Sequence, residues 1–302
     1  MEKKLNTDIA GAVSELEVLV KRVLPKNIVY RLVLGRGLEF DGYRAFMQDE
    51  DSENIDWKAS TRGNKLLARK YIEERDLKFF FIVDVSDNMV FGSTEKLKCE
   101  YAAELCSAAS HLILETGDSV GFSLIRDEIL QFRKPEMGKR QFEIFSSELI
   151  NPQNYGGVSD LNKVLENLIQ TLDRSISMVF LVSDFTRVDE SYKKNLELLG
   201  GMFETVALII RDPLDNNLPD INKEIVLESP VSKQKLVVNP HLAKNAYGRN
   251  AKEQLDDTKK MFEDFGIDIL ELMTDENSSV KFAEFLSERI EGGRVVKNKN
   301  VH

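Results

Sequence analysis

Little in this 302-residue chain invites covalent or transition-metal chemistry: it has 2 cysteines, 1 tryptophan and 3 histidines. Cys99 and Cys106 are seven residues apart in a helical pattern. That is roughly 10 Å along the axis at 1.5 Å per residue, beyond the reach of a disulfide. His111 and His241 have no partner at metal-ligand spacing. No apolar run approaches the roughly 18 residues of a membrane span, and no signal peptide is recognised. The expectation is a cytoplasmic chain without stable membrane insertion. Basic charge is short as well: 41 Lys and Arg face 51 Asp and Glu, for a formal net charge of -10. That balance argues against nucleic acid as the partner. A glycine-rich phosphate loop with a lysine is missing, which excludes a P-loop nucleotide site, and no nucleophile–histidine pair can be assembled.

What the chain does have is two apolar runs that each end in an aspartate. Phe79-Phe80-Phe81-Ile82-Val83 stops at Asp84, and Met178-Val179-Phe180-Leu181-Val182 stops at Ser183-Asp184. Such short, continuous apolar runs are those of strands buried on both faces of a parallel sheet. From Asp76 onward strands and helices alternate. Further strands are read at Ser119–Ile125, Ile129–Phe132 (a short edge strand), Thr205–Ile210 and Ile267–Leu272. Helices are read at about Glu95–Glu115, Lys139–Leu149, from Ser159-Asp160, Asp189–Leu199, Pro240–Phe265 and Val280–Ile290. The fold class is therefore α/β, a doubly wound, mostly parallel six-stranded sheet of Rossmann-like kind with expected strand order 3-2-1-4-5-6. In that order the strands ending at Asp84 and Asp184 are neighbours at the reversal point.

Residues 1–75 are expected to form an N-terminal helix and β extension packed on a main domain of 76–292. A segment at about 212–239, with three prolines, interrupts the main domain, and a polar tail of 293–302 is expected to be disordered.

The loop Asp84-Val85-Ser86-Asp87-Asn88 sets oxygen ligands two residues apart. Ser159 follows a Gly156-Gly157 turn, and Asp184 arrives from the fourth strand. Asp84, Ser86, Asn88, Ser159 and Asp184 thus form a candidate site for a hard cation, Mg²⁺ or alternatively Mn²⁺, which takes about six oxygens. They are expected in one cleft at the carboxyl edge. The competing reading is structural: aspartates capping loops, and Ser86 and Ser159 as turn and cap residues.

These residues resemble the metal-ion-dependent adhesion site of a von Willebrand factor A domain. By that resemblance Asp84 and Ser86 belong to the Asp-x-Ser-x-Ser loop, Asn88 replaces its second serine, Ser159 replaces a threonine, and Asp184 is the third-loop aspartate. Four further stretches resemble the bacterial family called domain of unknown function 58. They are Glu39-Phe40-Asp41-Gly42-Tyr43-Arg44, Ile55-Asp56-Trp57-Lys58-Ala59-Ser60-Thr61-Arg62, Ser183-Asp184-Phe185, and Arg211-Asp212-Pro213 with Leu218-Pro219. An arginine usual before Ile-Asp-Trp in that family is missing from the acidic Gln48–Glu53 region. The resemblance implies a non-enzymatic interaction module or adaptor that works with a MoxR-type AAA+ ATPase on an unknown client protein, in protein maturation or remodelling. The alternative is a Mg-dependent, phosphatase-like hydrolase using Asp84 and Asp184. Such chemistry usually needs a second acid where Ser86 stands. Trp57 reads as a packing anchor, and Asp56 with Arg62 as a structural ion pair.

Overall fold

The computed structural model describes residues 5–23, 38–45, 60, 66–73, 77–228 and 235–291. In chain order these form α1 (Ile9–Val23), a hairpin of β1 (Leu38–Ala45) and β2 (Leu67–Glu73), β3 (Lys78–Asp84), α2 (Lys98–Glu115), β4 (Ser119–Ile125), β5 (Ile129–Glu136), α3 (Lys139–Leu149) and α4 (Leu161–Thr171). There follow β6 (Met178–Ser183), α5 (Lys193–Met202), β7 (Glu204–Arg211), the short α6 (Pro213–Asn216), a hairpin of β8 (Ile225–Glu228) and β9 (Lys235–Val238), α7 (Pro240–Asp264), β10 (Asp268–Met273) and α8 (Ser278–Glu291). The acidic loop 48–53, the Asp56-Trp57 to Arg62 stretch apart from Ser60, and the tail 293–302 lie outside the described residues. No described helix is long and apolar enough to cross a membrane.

The central sheet has the order β5-β4-β3-β6-β7-β10, with every pair parallel except β4–β5. Numbered by chain order this is the 3-2-1-4-5-6 arrangement that the sequence pattern predicts. Strand alternation explains why β3 can be apolar throughout. Phe79, Phe81 and Val83 enter the layer built from α1, α2, α3 and α8, while Phe80 and Ile82 enter the layer of α4, α5 and α7. Phe81 is fully buried, 4.8 Å from the Phe180 ring and 5.3 Å from that of Phe145. Burying a side chain of this size contributes about 1.5–3 kcal/mol.

Helix α1 lays Leu16 and Val20 against the first of these layers. Its start is held by α2: Glu100 accepts the Asn6 N–H at 2.6 Å and Glu104 that of Asp8 at 2.6 Å. A helix start offers free N–H donors, and carboxylates answer them well.

Several boundaries differ from the sequence reading; the helix read at Asp189–Leu199, for example, is Lys193–Met202, and two others have a direct physical cause. Helix α2 begins at Lys98 rather than Glu95, because the Lys98 and Cys99 N–H groups are taken by the carbonyls of Phe91 and Met89, both at 2.9 Å. Strand β5 runs on to Glu136, past Pro135. An edge strand tolerates a proline, since one side of it has no ladder to serve. The interrupting segment forms the antiparallel β8–β9 hairpin, with Val226, Leu236 and Val237 exposed.

Two adjacent glycines of α5 differ in what a side chain would meet. A Cβ on Gly200 would lie 2.3 Å from the Phe265 carbonyl oxygen, whereas one on Gly201 would meet nothing within 4 Å among the described residues. Gly200→Ala is expected to destabilise the fold by pushing α5 off the α7–β10 turn. Gly201→Ala is expected to be neutral or to stabilise by up to about 1 kcal/mol through helix propensity. Urea unfolding of the two variants checks the opposite signs.

Candidate functional site

The register between β3 and β6 pairs Val83 with Val182, so the next residues, Asp84 and Ser183, leave the sheet side by side. Asp84 is 2 % exposed and Asp184 3 %. Two carboxylates this deep must be hydrogen-bonded or paired.

Asp84 is met by hydroxyls and one amide. Its Oδ2 accepts from Ser183 Oγ at 2.7 Å and from Ser159 Oγ at 3.4 Å, and its Oδ1 accepts the Ser86 N–H at 2.9 Å. Burial, and then the nearby charge of Asp184, raise its pKa above the ordinary aspartate value against these hydrogen bonds. Ser86 is fully buried and its hydroxyl has no hydrogen-bond partner among the described residues. Asn88 is also buried, on the turn after Ser86. It is Ser183 rather than Asn88 that bonds Asp84.

Ser159 is delivered by the glycine turn. Gly156 and Gly157 have φ of 115° and 90°, a region that glycine enters freely. The Gly156 N–H donates to the Val85 carbonyl and the Asp87 N–H to the Gly157 carbonyl, both at 2.9 Å. These two bonds staple the second loop to the first. Four of the five expected residues therefore gather through the Asp84 carboxylate: Asp84, Ser86, Ser159 and, through its charge, Asp184.

Asp184 has a different environment. Its Oδ2 accepts from Lys98 Nζ at 2.8 Å, and its Oδ1 accepts from the Thr186 N–H at 3.2 Å and Thr186 Oγ1 at 3.1 Å. Burial alone would raise its pKa, but the Lys98 ammonium, the Thr186 amide and the Arg211 guanidinium outweigh burial and hold it below the ordinary value. Lys98 is 1 % exposed and also reaches Asp215 Oδ2 at 3.0 Å. Burial works against its charge, yet Asp184 and Asp215 more than offset that, so it stays protonated. Phe185, the next residue, is buried with φ of 48°. This left-handed conformation is unfavourable for a phenylalanine. The Phe262 ring stacks edge-on at 5.0 Å and Gln254 Nε2 donates to the Phe185 carbonyl at 2.9 Å.

Asp84, Ser86 and Ser159 are thus the oxygen donors open to a hard cation, whereas Asp184 already has the Lys98 ammonium as its counter-ion. Among the described residues no three acidic, histidine or cysteine side chains converge on a metal position. Any cation here would depend on hydroxyl ligands and on the charge of Asp84. Lys98, Asp215, Ser183 and Thr186 are members of the site that sequence reasoning missed. One signal for Lys98 existed: the helix around it is rich in Ala and Cys on several faces, as a helix buried nearly all round would be. A lysine in such a helix needs a partner.

The network extends to the ends of β7 and β10 through Asp212, which is fully buried. Its carboxylate accepts from the Ser93 N–H (2.7 Å), Ser93 Oγ (2.6 Å), the Leu214 N–H (2.9 Å) and Thr274 Oγ1 (3.1 Å). Burial pushes its pKa up, but these bonds, led by those from Ser93, hold it below the ordinary value. A depressed carboxylate pKa contributes stability that is present above the unfolded value and lost as pH falls through the folded one. Asp212→Asn is expected to destabilise by about 1.5–3 kcal/mol at neutral pH. The gap between variant and wild type should narrow on acidification, as read by urea unfolding across the acid range.

Several known proteins are similar to this chain. An uncharacterized protein of Mycobacterium tuberculosis is 25% identical over 292 residues, covering 94% of this chain and 90% of the relative. Among solved structures, the conserved hypothetical protein BatB from Bacteroides thetaiotaomicron aligns with a TM-score of 0.47 at 9% identity, over 72% of this chain and 98% of that one. A von Willebrand factor type A protein from Catenulispora acidiphila aligns with a TM-score of 0.35 at 15% identity, over 48% of this chain and 35% of that one. The family model described as protein of unknown function DUF58 matches residues 42–257, a span that includes both site aspartates and the Arg211-Asp212-Pro213 turn, and the chain belongs to that family.

Proposed function

We propose that this chain is a non-enzymatic protein-interaction module of the cytoplasm, with a von Willebrand factor A-like cleft that holds Mg²⁺ (or Mn²⁺) at Asp84, and that it serves as an adaptor for a MoxR-type AAA+ ATPase acting on a client protein. The observation that carries the metal part is a buried Asp84 carboxylate that, among the described residues, is met by hydroxyls and an amide rather than by a cation, with the buried Ser86 hydroxyl beside it. Hard cations seek such oxygens. Asp84, Ser86 and Ser159 would hold the ion, Asn88 flanks it on the first loop, and Asp184 would act through its charge. A bound ion would supply a positive point to which a partner's carboxylate can dock. Asp184 is committed to Lys98 and Ser86 stands where a phosphatase-like site needs its second acid, so nothing in the cleft favours hydrolysis.

Mg²⁺ at 100-fold its dissociation constant is expected to stabilise the protein by about 2.7 kcal/mol, or roughly 5 °C in melting temperature for a chain of this size. Ser86→Ala isolates the effect. Losing an unpartnered buried hydroxyl should leave the metal-free stability unchanged or higher, while the Mg²⁺ shift should shrink or vanish. A wild-type melting curve indifferent to millimolar Mg²⁺ and Mn²⁺ contradicts the metal reading. For the partner, nucleotide-loaded MoxR-type ATPase should co-purify with the wild type and with Asn88→Ser, and be lost with Asp84→Ala. Equal retention by all three would move the contact away from the cleft. Capture by none would reject the ATPase.

A further inference from the structure

A concave feature lies apart from the Asp84 site, with none of Asp84, Ser86, Asn88, Ser159 or Asp184 in its lining. It is a groove of about 500 Å³ between the start of α1, the loop before α2 and the turn from β10 into α8. Among the described residues its walls carry six carboxylates, from Asp8, Glu15, Glu95, Glu104, Asp275 and Glu276, against one lining cation, Lys96. Lys96 is already paired with Glu104, and Lys281, from α8 outside the lining, lies 3.4 Å from Glu276 in a half-exposed pair that an incoming guanidinium would share or displace. The start of α8 also opens here, but the surrounding carboxylates would repel an anion.

Acidic side chains alone would make only a solvated surface. Tyr101 changes that. It lines the groove, is 3 % exposed, and its hydroxyl has no hydrogen-bond partner among the described residues. Burial, followed by the charges of Glu276, Asp275 and Glu104, raises the pKa of that hydroxyl, which puts it within the field of the groove's own carboxylates. Buried polar groups are normally satisfied, and an exception calls for a partner.

The occupant is a cation by charge, and its shape follows from the spread of the carboxylates. Among the described residues no three of them converge to hold a metal ion. Charge distributed around a groove of side-chain size suits an extended organic cation. A guanidinium fits best: its planar fork donates to several acceptors at once and can lie against an aromatic ring. We propose that this groove receives an arginine-bearing segment of a partner protein, with the guanidinium bonded to the Tyr101 hydroxyl and held by Asp275 and Glu276. The chain would then possess an interaction surface that needs no metal, and the failure of either reading leaves the other standing.

The probe is a dye-labelled Gly-Arg-Gly-Arg-Gly peptide titrated with the full chain at two salt concentrations by fluorescence anisotropy. Tyr101→Phe removes only the hydroxyl and is expected to weaken binding about fivefold, and Asp275→Asn with Glu276→Gln about tenfold or more. Glu143→Gln with Glu166→Gln removes the same charge from exposed positions elsewhere and should change nothing. An equal loss from that control pair would mean general electrostatic attraction and overturn the proposal. So would unchanged affinity in Tyr101→Phe, or no binding to the wild type. Spermidine binding the wild type more tightly than the peptide, with the same Tyr101 dependence, would make the groove a polyamine site and overturn the protein-partner assignment.

Discussion

The ammonium of Lys98, between Asp184 at 2.8 Å and Asp215 at 3.0 Å, is the contact on which the carboxyl edge of this sheet depends. It joins the first turn of α2 to the loop after β6 and to the short helix after β7. Desolvating an ion is expensive, and a buried pair is stable only with good geometry and further hydrogen bonds. Here Thr186 serves the second oxygen of Asp184, and the Asp212 N–H donates to Asp215 Oδ2 at 2.9 Å. Without Lys98, the edge would hold Asp84, Asp184, Asp212 and Asp215 with far less to offset their charge.

That contact divides the two central aspartates. Asp184 is held ionised by a cation within the chain, and its neighbour Phe185 accepts an unfavourable backbone conformation beside it. Asp84 has only hydroxyls and an amide, in a setting that opposes its charge. Of the pair, Asp84 is the one with something to gain from an outside cation. The same edge continues through Asp212 to Thr274, a residue that also lines the acidic groove. Both proposed interaction surfaces therefore rest on one hydrogen-bonded scaffold.

Much of the fold was legible because β3, β6 and β7 are buried on both faces and leave unbroken apolar runs, while amphipathic helices separate them. The strand order followed from that rhythm, and with it the meeting of Asp84 and Asp184. The glycine turn before Ser159 was legible because two successive glycines mark a backbone that few other residues can follow. Lys98 was signalled only by the Ala- and Cys-rich helix around it, because a lysine near a helix start ordinarily faces water, and its burial depends on loop carbonyls of Met89 and Phe91 that set where the helix begins. The roles of Asp212 and Asp215 were hidden for a similar reason: they follow β7 in a turn whose direction is tertiary information. Tyr101 sits among core positions of α2, and only the surrounding carboxylates distinguish its hydroxyl.

The central claim is that Lys98 and Asp184 are energetically coupled and that this coupling organises the site. A double-mutant cycle of wild type, Lys98→Met, Asp184→Asn and the double variant, followed by equilibrium unfolding, tests it directly. The account predicts that each single change destabilises, Lys98→Met by about 3–5 kcal/mol, and that the double variant loses less than the sum, with a coupling energy of about 1–3 kcal/mol. Additive losses, or a Lys98→Met variant as stable as the wild type, would contradict it.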